Sequence, residues 1–248
     1  MIFTSDLDWL AFGWFLLLWV GYTVLARVAA RRKVNCLAIQ LYQYRSGWAE
    51  NALRRENRMF DICTLDTIQK MANFLATTTI FAIAGLITAL SSAKNLKLLL
   101  EDHPFIVEPT QEQVEFKLGV MVLIFVFAFF RLTWAMRQHT FLLLLLGATP
   151  QIKSERLSNE EEHVVDHVTK ILDRAGHEFN YGLRAYYFAL AFLAWFINPL
   201  FFMATSIFVV YVLYRREFRS PTLKYLTQTR QAINALGAAD AQRVAASQ

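Results

Sequence analysis

The sequence predicts an all-α protein: a bundle of four integral membrane helices with amphipathic helices on its cytoplasmic side. Three observations carry that reading. Of the 248 residues, 56% are hydrophobic and 18% charged, with 21 Phe, 9 Tyr and 6 Trp. The charges cluster between long uncharged runs, which a soluble domain of this size rarely contains. The longest run, Ala185–Tyr214, holds 30 residues between Arg184 and Arg215. As one straight helix it would measure about 45 Å, against a hydrocarbon core of about 30 Å.

The first span is predicted over residues 8–28. Its core, Trp9–Ala26, is an uncharged run of 18 residues. Acidic Asp6 and Asp8 precede it and the basic cluster Arg27–Lys33 follows. That order is the reverse of a secretory leader, so the segment reads as a retained anchor. Residues 35–70 alternate charged and apolar positions, which predicts an amphipathic helix on the membrane surface. Leu53, Met59 or Phe60, Cys63 and Ile68 are expected on one face and lead into the second span, 71–93. That span carries Thr78, Ala82, Gly85, Ala89 and Ser92 as a small-residue stripe suited to close helix approach. The loop after it contains His103-Pro104 and Glu108-Pro109, both helix breakers.

The third span is predicted over 118–137 and includes one charge, Arg131. The apolar Phe141–Ala148 is too short to cross and either extends that helix or lies in the interface. Ser158 and Glu161 have capping-box spacing, which predicts a cytoplasmic helix over 158–176 with Gly176 as its stop. The fourth span, 185–214, is read as one long helix kinked at Asn198-Pro199. Residues 221–248 form a tail expected to lose order toward its end.

Charge asymmetry orients this arrangement. With the N-terminus outside, Ala26–Lys70 and Arg137–Arg184 are cytoplasmic and hold 15 Lys and Arg, against three in the outer loop. The tail disagrees, because Arg215, Arg216, Arg219, Lys224, Arg230 and Arg243 would then lie outside. A hairpin at Asn198-Pro199 would return them to the cytoplasm, but 30 residues are too few for two full spans, so the kinked helix is preferred. The net charge of +5 points to anionic lipid headgroups at the flanks of the spans and not to nucleic acid. Cys36 and Cys63 match no metal or redox spacing and read as reduced thiols.

Four places carry polar chemistry. Arg131 lies inside a span, where an uncompensated charge costs several kcal/mol. It is expected to snorkel or to pair with Asp61, Asp66 or Glu178. Asn198-Pro199 breaks the last span, because Pro199 cannot donate to the carbonyl of Trp195, and Thr205 shares the face of the break. Thr78 stands among three consecutive threonines that pack or line a conduit. His163 and His167, four apart on a helix with Glu160 one turn earlier, resemble a zinc-ligand pair with Asp166 in place of a catalytic glutamate. A solvated helix face explains them more simply, and no cofactor is predicted.

The strings Glu56–Ile62 (ENRMFDI), Phe127–Pro150 and Gly182–Pro199 (GLRAYYFALAFLAWFINP) resemble an uncharacterised family of bacterial and plant integral membrane proteins, the domain of unknown function family 599. The resemblance covers about residues 5–220. It implies a four-helix membrane protein and supplies no reaction, cofactor or ligand. The expected function is a structural or accessory protein of the bacterial inner membrane that binds lipid or a membrane partner, with homo-oligomerisation open. A small oligomeric channel or carrier is the alternative, and a metal-dependent membrane enzyme ranks third.

Overall fold

The computed structural model describes residues 6–32, 34–101, 110–154 and 157–246. They form α1 (Asp6–Arg31), α2 (Leu37–Arg54), α3 (Met59–Ser91), α4 (Ala93–Glu101), α5 (Gln111–Ala148), α6 (Asn159–Leu193), a 3-10 turn at Ala194–Phe196, α7 (Pro199–Phe218) and α8 (Pro221–Ala246). There are no strands among the described residues. The two Pro-containing breakers of the loop after α4 lie outside them.

Among the described residues, four helices are long and apolar enough to cross a membrane: α1, α3, α5 and the one beginning at Pro199. They turn much of that apolar surface outward. Only 11% of the apolar window of α3 is buried, and Phe74 and Phe81 are each 70% exposed. In water such a surface would drive aggregation; acyl chains cover it at no cost.

The chain reverses at Asn198-Pro199, which corrects the expectation of one kinked helix through 185–214. α6 and α7 are antiparallel neighbours: Thr205 Oγ1 donates to the Ala191 carbonyl at 3.3 Å, and further down Arg216 meets the Tyr187 hydroxyl at 2.5 Å. Local chemistry explains the turn. Asn198 is extended, and its side-chain oxygen accepts from the Leu200 amide at 2.8 Å. Pro199 occupies the first helical position, where a missing N–H costs nothing. Asn-Pro is therefore the start of a new helix rather than a bend within one. The length objection fails because α6 does not begin at Ala185. It enters from residue 159, so the hairpin arm has more chain than the uncharged run supplies.

The same fact corrects the predicted stop at Gly176. α6 starts at the Ser158–Glu161 capping box, as the spacing predicts, and continues for 35 residues. It runs back along α5, itself 38 residues and about 57 Å long. The two helices touch at Gly182, where a Cβ would stand 2.7 Å from Leu132 Cγ. α5 absorbs Phe141–Ala148 as a continuous extension.

Two cores stack along this pair. One joins α1, α5, α6 and α7 through Phe15, Met121, Phe188, Phe192, Trp195 and Phe202. The other, at the far end of α5, packs Leu53, Leu65, Leu142, Leu146, Val168 and Leu172 from α2, α3, α5 and α6. The predicted face of 35–70 differs: Met59, Phe60 and Ile68 are exposed, and Asp61, Leu65 and Ala72 are buried. The cause is a break at residues 55–58 that rotates α3 relative to α2. Arg58 holds that break by donating to the carbonyls of Leu53 (3.2 Å), Leu146, Thr149 (2.7 Å) and Pro150 (3.1 Å), the orphan acceptors where α2 and α5 end. Asp61 beside it is fully buried and ion-paired with Arg55.

Candidate functional site

The reversal at Asn198 brings the basic ends of α1, α2, α6 and α7 together, and they enclose a cavity of about 1150 Å³. Five arginines line it (Arg27, Arg45, Arg174, Arg184 and Arg216), together with Asp173, Glu178 and Glu217. Tyr22, Tyr42, Tyr181 and Tyr187 supply hydroxyls, and Ala26, Ala30, Leu37, Leu41 and Leu213 supply an apolar part of the wall.

Each element places its charges for a stated reason. Glu217, at the end of α7, accepts from the Ala38 amide at 3.1 Å and so caps the first turn of α2. That docks α2 against α7 and forms one wall. Arg184 stands 4.0 Å from Glu217 and lies over the rings of Tyr22 (5.1 Å) and Tyr181 (5.7 Å). Arg45 crosses from α2 to bond Asp173 at 2.6 Å, and His177 meets the same carboxylate at 3.2 Å. The Arg45 guanidinium packs closely over Gly176, where a Cβ would stand 2.2 Å from Arg45 Nη2. Burial raises the Asp173 carboxyl, but the His177 bond and the Arg45 charge outweigh it and leave its pKa below the ordinary carboxylate value. Cys36, at the N-cap of α2, is buried, and burial pushes its thiol pKa up, which suits an inert core thiol.

The rim is different. Arg27 donates to the Tyr181 hydroxyl at 3.2 Å and Arg216 to the Tyr187 hydroxyl at 2.5 Å. A neutral hydroxyl leaves a guanidinium its full charge and most of its five donors. Arg45 and Arg184 are thus held by carboxylates, while the exposed Arg27 and Arg216 at the rim keep donor capacity for an incoming anion.

Arg131 finds the last of the partners anticipated for it, Glu178, at 2.8 Å, and its guanidinium also lies over Phe127 and Tyr181. It buttresses the cavity wall from behind. Asn198 and Pro199 are at the opposite end, as cap and first residue of α7. Thr205 bridges α7 to α6. Thr78 bonds only its own helix, at Phe74, whereas its neighbour Thr79 is buried and shares a 2.6 Å hydrogen bond with Tyr186. The small-residue stripe meets no neighbour at Gly85, which has open space around it. Glu160, His163 and His167 are exposed, with the two imidazoles 6.4 Å apart. No group of three His, Cys, Asp or Glu suited to a metal occurs among the described residues.

Sequence reasoning missed a buried polar cluster at the α6–α7 turn. Lys117, 6% exposed, donates to the Trp195 carbonyl at 2.9 Å and lies 5.0 Å from the Trp195 ring centroid. The indole Nε1 of Trp195 donates to Asp8 at 2.8 Å. This carbonyl is the acceptor that Pro199 cannot serve. The signal was present, since the freed carbonyl had been identified, but Lys117 read as a loop charge at the mouth of a span.

A family model described as a protein of unknown function, DUF599, matches residues 10–222. The chain belongs to this family. No curated protein and no solved structure matches it. The DUF599 match spans every wall of the cavity, from Tyr22 to Glu217, and ends near the start of α8. Within it, the GLRAYYF string supplies Gly182 at the α5 contact, Arg184 in the cavity, Tyr186 on Thr79 and Tyr187 under Arg216.

Proposed function

We propose that this DUF599 protein is a non-enzymatic accessory protein of the bacterial cytoplasmic membrane that binds an anionic, phosphate-bearing lipid headgroup in the arginine-lined cavity. One observation carries the reading. Five arginines face three carboxylates around one space, and both rim arginines are engaged by tyrosine hydroxyls instead of acids. A cavity with that excess of positive charge favours an anion, and guanidinium groups suit phosphate oxygens because they donate in a planar fork.

Orientation supports the assignment. With the chain reversed at Asn198, Arg215, Arg216, Arg219 and Lys224 fall at the same end as Arg27 and Arg45. The basic segments then agree with one another, and the positive-inside rule places the cavity at the cytoplasmic leaflet with the N-terminus outside. Anionic headgroups are concentrated there. The apolar wall residues suit the glycerol and proximal acyl portion of the same molecule.

Native mass spectrometry of the full chain, released from nanodiscs of mixed phosphatidylglycerol and phosphatidylcholine, tests this. The expected result is retained phosphatidylglycerol that is lost when Arg27→Gln and Arg216→Gln are combined. Equal retention of both lipids by the wild type, or no change in the double variant, refutes it. A channel would need a continuous polar path. Within a single chain the opposite end is instead closed by the buried Trp195, Phe202 and Phe15, which argues against a pore through one protomer.

A further inference from the structure

A groove of about 640 Å³ lies on the far side of α5, between α3 and α5, and shares no residue with the arginine-lined cavity. Gln69 of α3 lines it together with Phe130, Trp134, Arg137 and Phe141 of α5. Both helices change character at this level. Lys70 is the last charge before the uncharged run Met71–Ala93, and Arg137 ends the apolar stretch that Arg131 alone interrupts. Phe130 stands seven residues from Arg137, about 10 Å deeper by helix rise. The groove therefore straddles the boundary where hydrocarbon gives way to headgroups. Phe130, Trp134, Arg137 and Phe141 are all exposed, so these side chains are open to whatever occupies it.

The polar groups of the groove are donors in excess. Arg131 gives its charge to Glu178 at 2.8 Å, but Arg137 meets no carboxylate among the described residues and lies against the Phe141 ring, 5.7 Å from its centroid. A guanidinium stacked in that way keeps its charge and its five N–H donors. The Trp134 indole N–H and the Gln69 carboxamide also make no hydrogen bond among the described residues. Thr133 and Thr140 donate to carbonyls of their own helix, at Phe129 (2.9 Å) and Met136 (3.2 Å). No Asp or Glu lines the groove, and the neighbouring Lys70 is neutralised by Asp66 at 2.7 Å.

We infer that this groove is a second lipid site, which holds the phosphate of an anionic glycerophospholipid on Arg137, with Trp134 and Gln69 as neutral donors and an acyl chain laid along Phe130. Charge complementarity selects the occupant. The phosphate answers a cation that the fold leaves uncompensated, while the ammonium of a zwitterionic headgroup would find no carboxylate there. The site stands on residues other than those of the cavity, so either can fail without the other.

Photocrosslinking tests it. Phosphatidylglycerol and phosphatidylcholine, each with one diazirine in the proximal acyl chain, are added at trace level to the full chain in phosphatidylcholine nanodiscs, and the adducts are mapped by peptide mass spectrometry. Within residues 130–141 the phosphatidylglycerol probe is expected to exceed the phosphatidylcholine probe by about five-fold, the worth of one well-placed arginine. At Phe81, exposed on α3 away from the groove, the two probes are expected to react about equally. Arg137→Gln should bring the ratio at 130–141 to about one, Arg137→Lys should keep most of it, and Trp134→Phe should lower it part of the way. Arg137 is exposed and makes no ion pair in the fold, so the variants should fold as the wild type does. Combining Arg27→Gln with Arg216→Gln should leave the ratio unmoved. A wild-type ratio near one at 130–141, or one that Arg137→Gln does not change, overturns the inference while leaving the cavity reading intact. A ratio that falls with Arg27 and Arg216 instead would mean that the adducts report the cavity's lipid, and overturns it as well.

Discussion

Replacing Lys117 with Met tests the chain reversal through its least expected contact. Met keeps the apolar stem of the lysine and removes the ammonium. The loss comprises a charge-assisted hydrogen bond to the Trp195 carbonyl, 2.9 Å long and buried, and a cation–π contact to the same residue at 5.0 Å. The first is worth about 1.5–3 kcal/mol and the second about 0.5–2 kcal/mol. Removing a buried ammonium also relieves its desolvation, which returns part of that sum. The expected net cost is therefore about 2 kcal/mol. A helix as long as α5 that merely ended near a charged loop would lose nothing, because an interfacial lysine is worth little. Thermal or denaturant unfolding in mild detergent reads the difference. Asp8→Asn in the Lys117→Met background is expected to cost less than Asp8→Asn alone, since the two charges share Trp195. If Lys117→Met leaves stability unchanged, the cluster does not hold the turn and the reasoning is refuted.

Three further outcomes are expected. In a background with Cys63→Ser, an impermeant thiol reagent should label Glu56→Cys and Gln228→Cys from one side of the membrane and Lys94→Cys from the other; labelling of position 228 together with position 94 contradicts the reversal. Gly182→Val should destabilise by about 2 kcal/mol through overpacking, since even a Cβ meets Leu132 Cγ at 2.7 Å; a neutral result would mean α5 and α6 are not in close contact there. The depressed pKa of Asp173 means the unfolded chain binds its proton first as pH falls. Its contribution to stability is then full above the ordinary carboxylate pKa of about 3.9 and is lost as pH falls through the lower folded value. Asp173→Asn should flatten that acid limb of a stability–pH curve, and an unaltered limb counts against the Arg45–Asp173–His177 contact.

The spans α1 and α3 were legible because their uncharged runs approach the thickness of the hydrocarbon core, and α5 because Arg131 alone interrupts an otherwise apolar run of spanning length. Ser158 and Glu161 marked the start of α6 through backbone donors that every helix leaves unsatisfied. Arg131 announced its need for a partner, and Glu178 lay among the three carboxylates named for it. The reversal was not legible from hydropathy. α6 carries Glu178, Arg184 and other charges up to the membrane boundary, so only its last turns look apolar, and these merge with α7 into one run. Two local signals pointed the other way. Asn-Pro is the ordinary N-cap and first position of a helix, and the basic tail conflicted with a single crossing. The cavity was invisible for a different reason. Arg27, Arg184 and Arg216 read as charges flanking spans and Arg45 as one cation of the amphipathic segment, and only tertiary packing places them around one space. Lys117 was counted as a loop charge and Asp8 as a charge at the head of the first span, since hydropathy windows end at charges and cannot say which of them turn inward.

The most direct test of the central claim is an electron cryo-microscopy map of the full chain in nanodiscs rich in phosphatidylglycerol, with a bound Fab fragment to add mass. The geometry predicts phosphate density within hydrogen-bonding distance of Arg27 and Arg216. A cavity that holds only water, or one filled by an acyl chain while the phosphate lies outside the arginine rim, would contradict it.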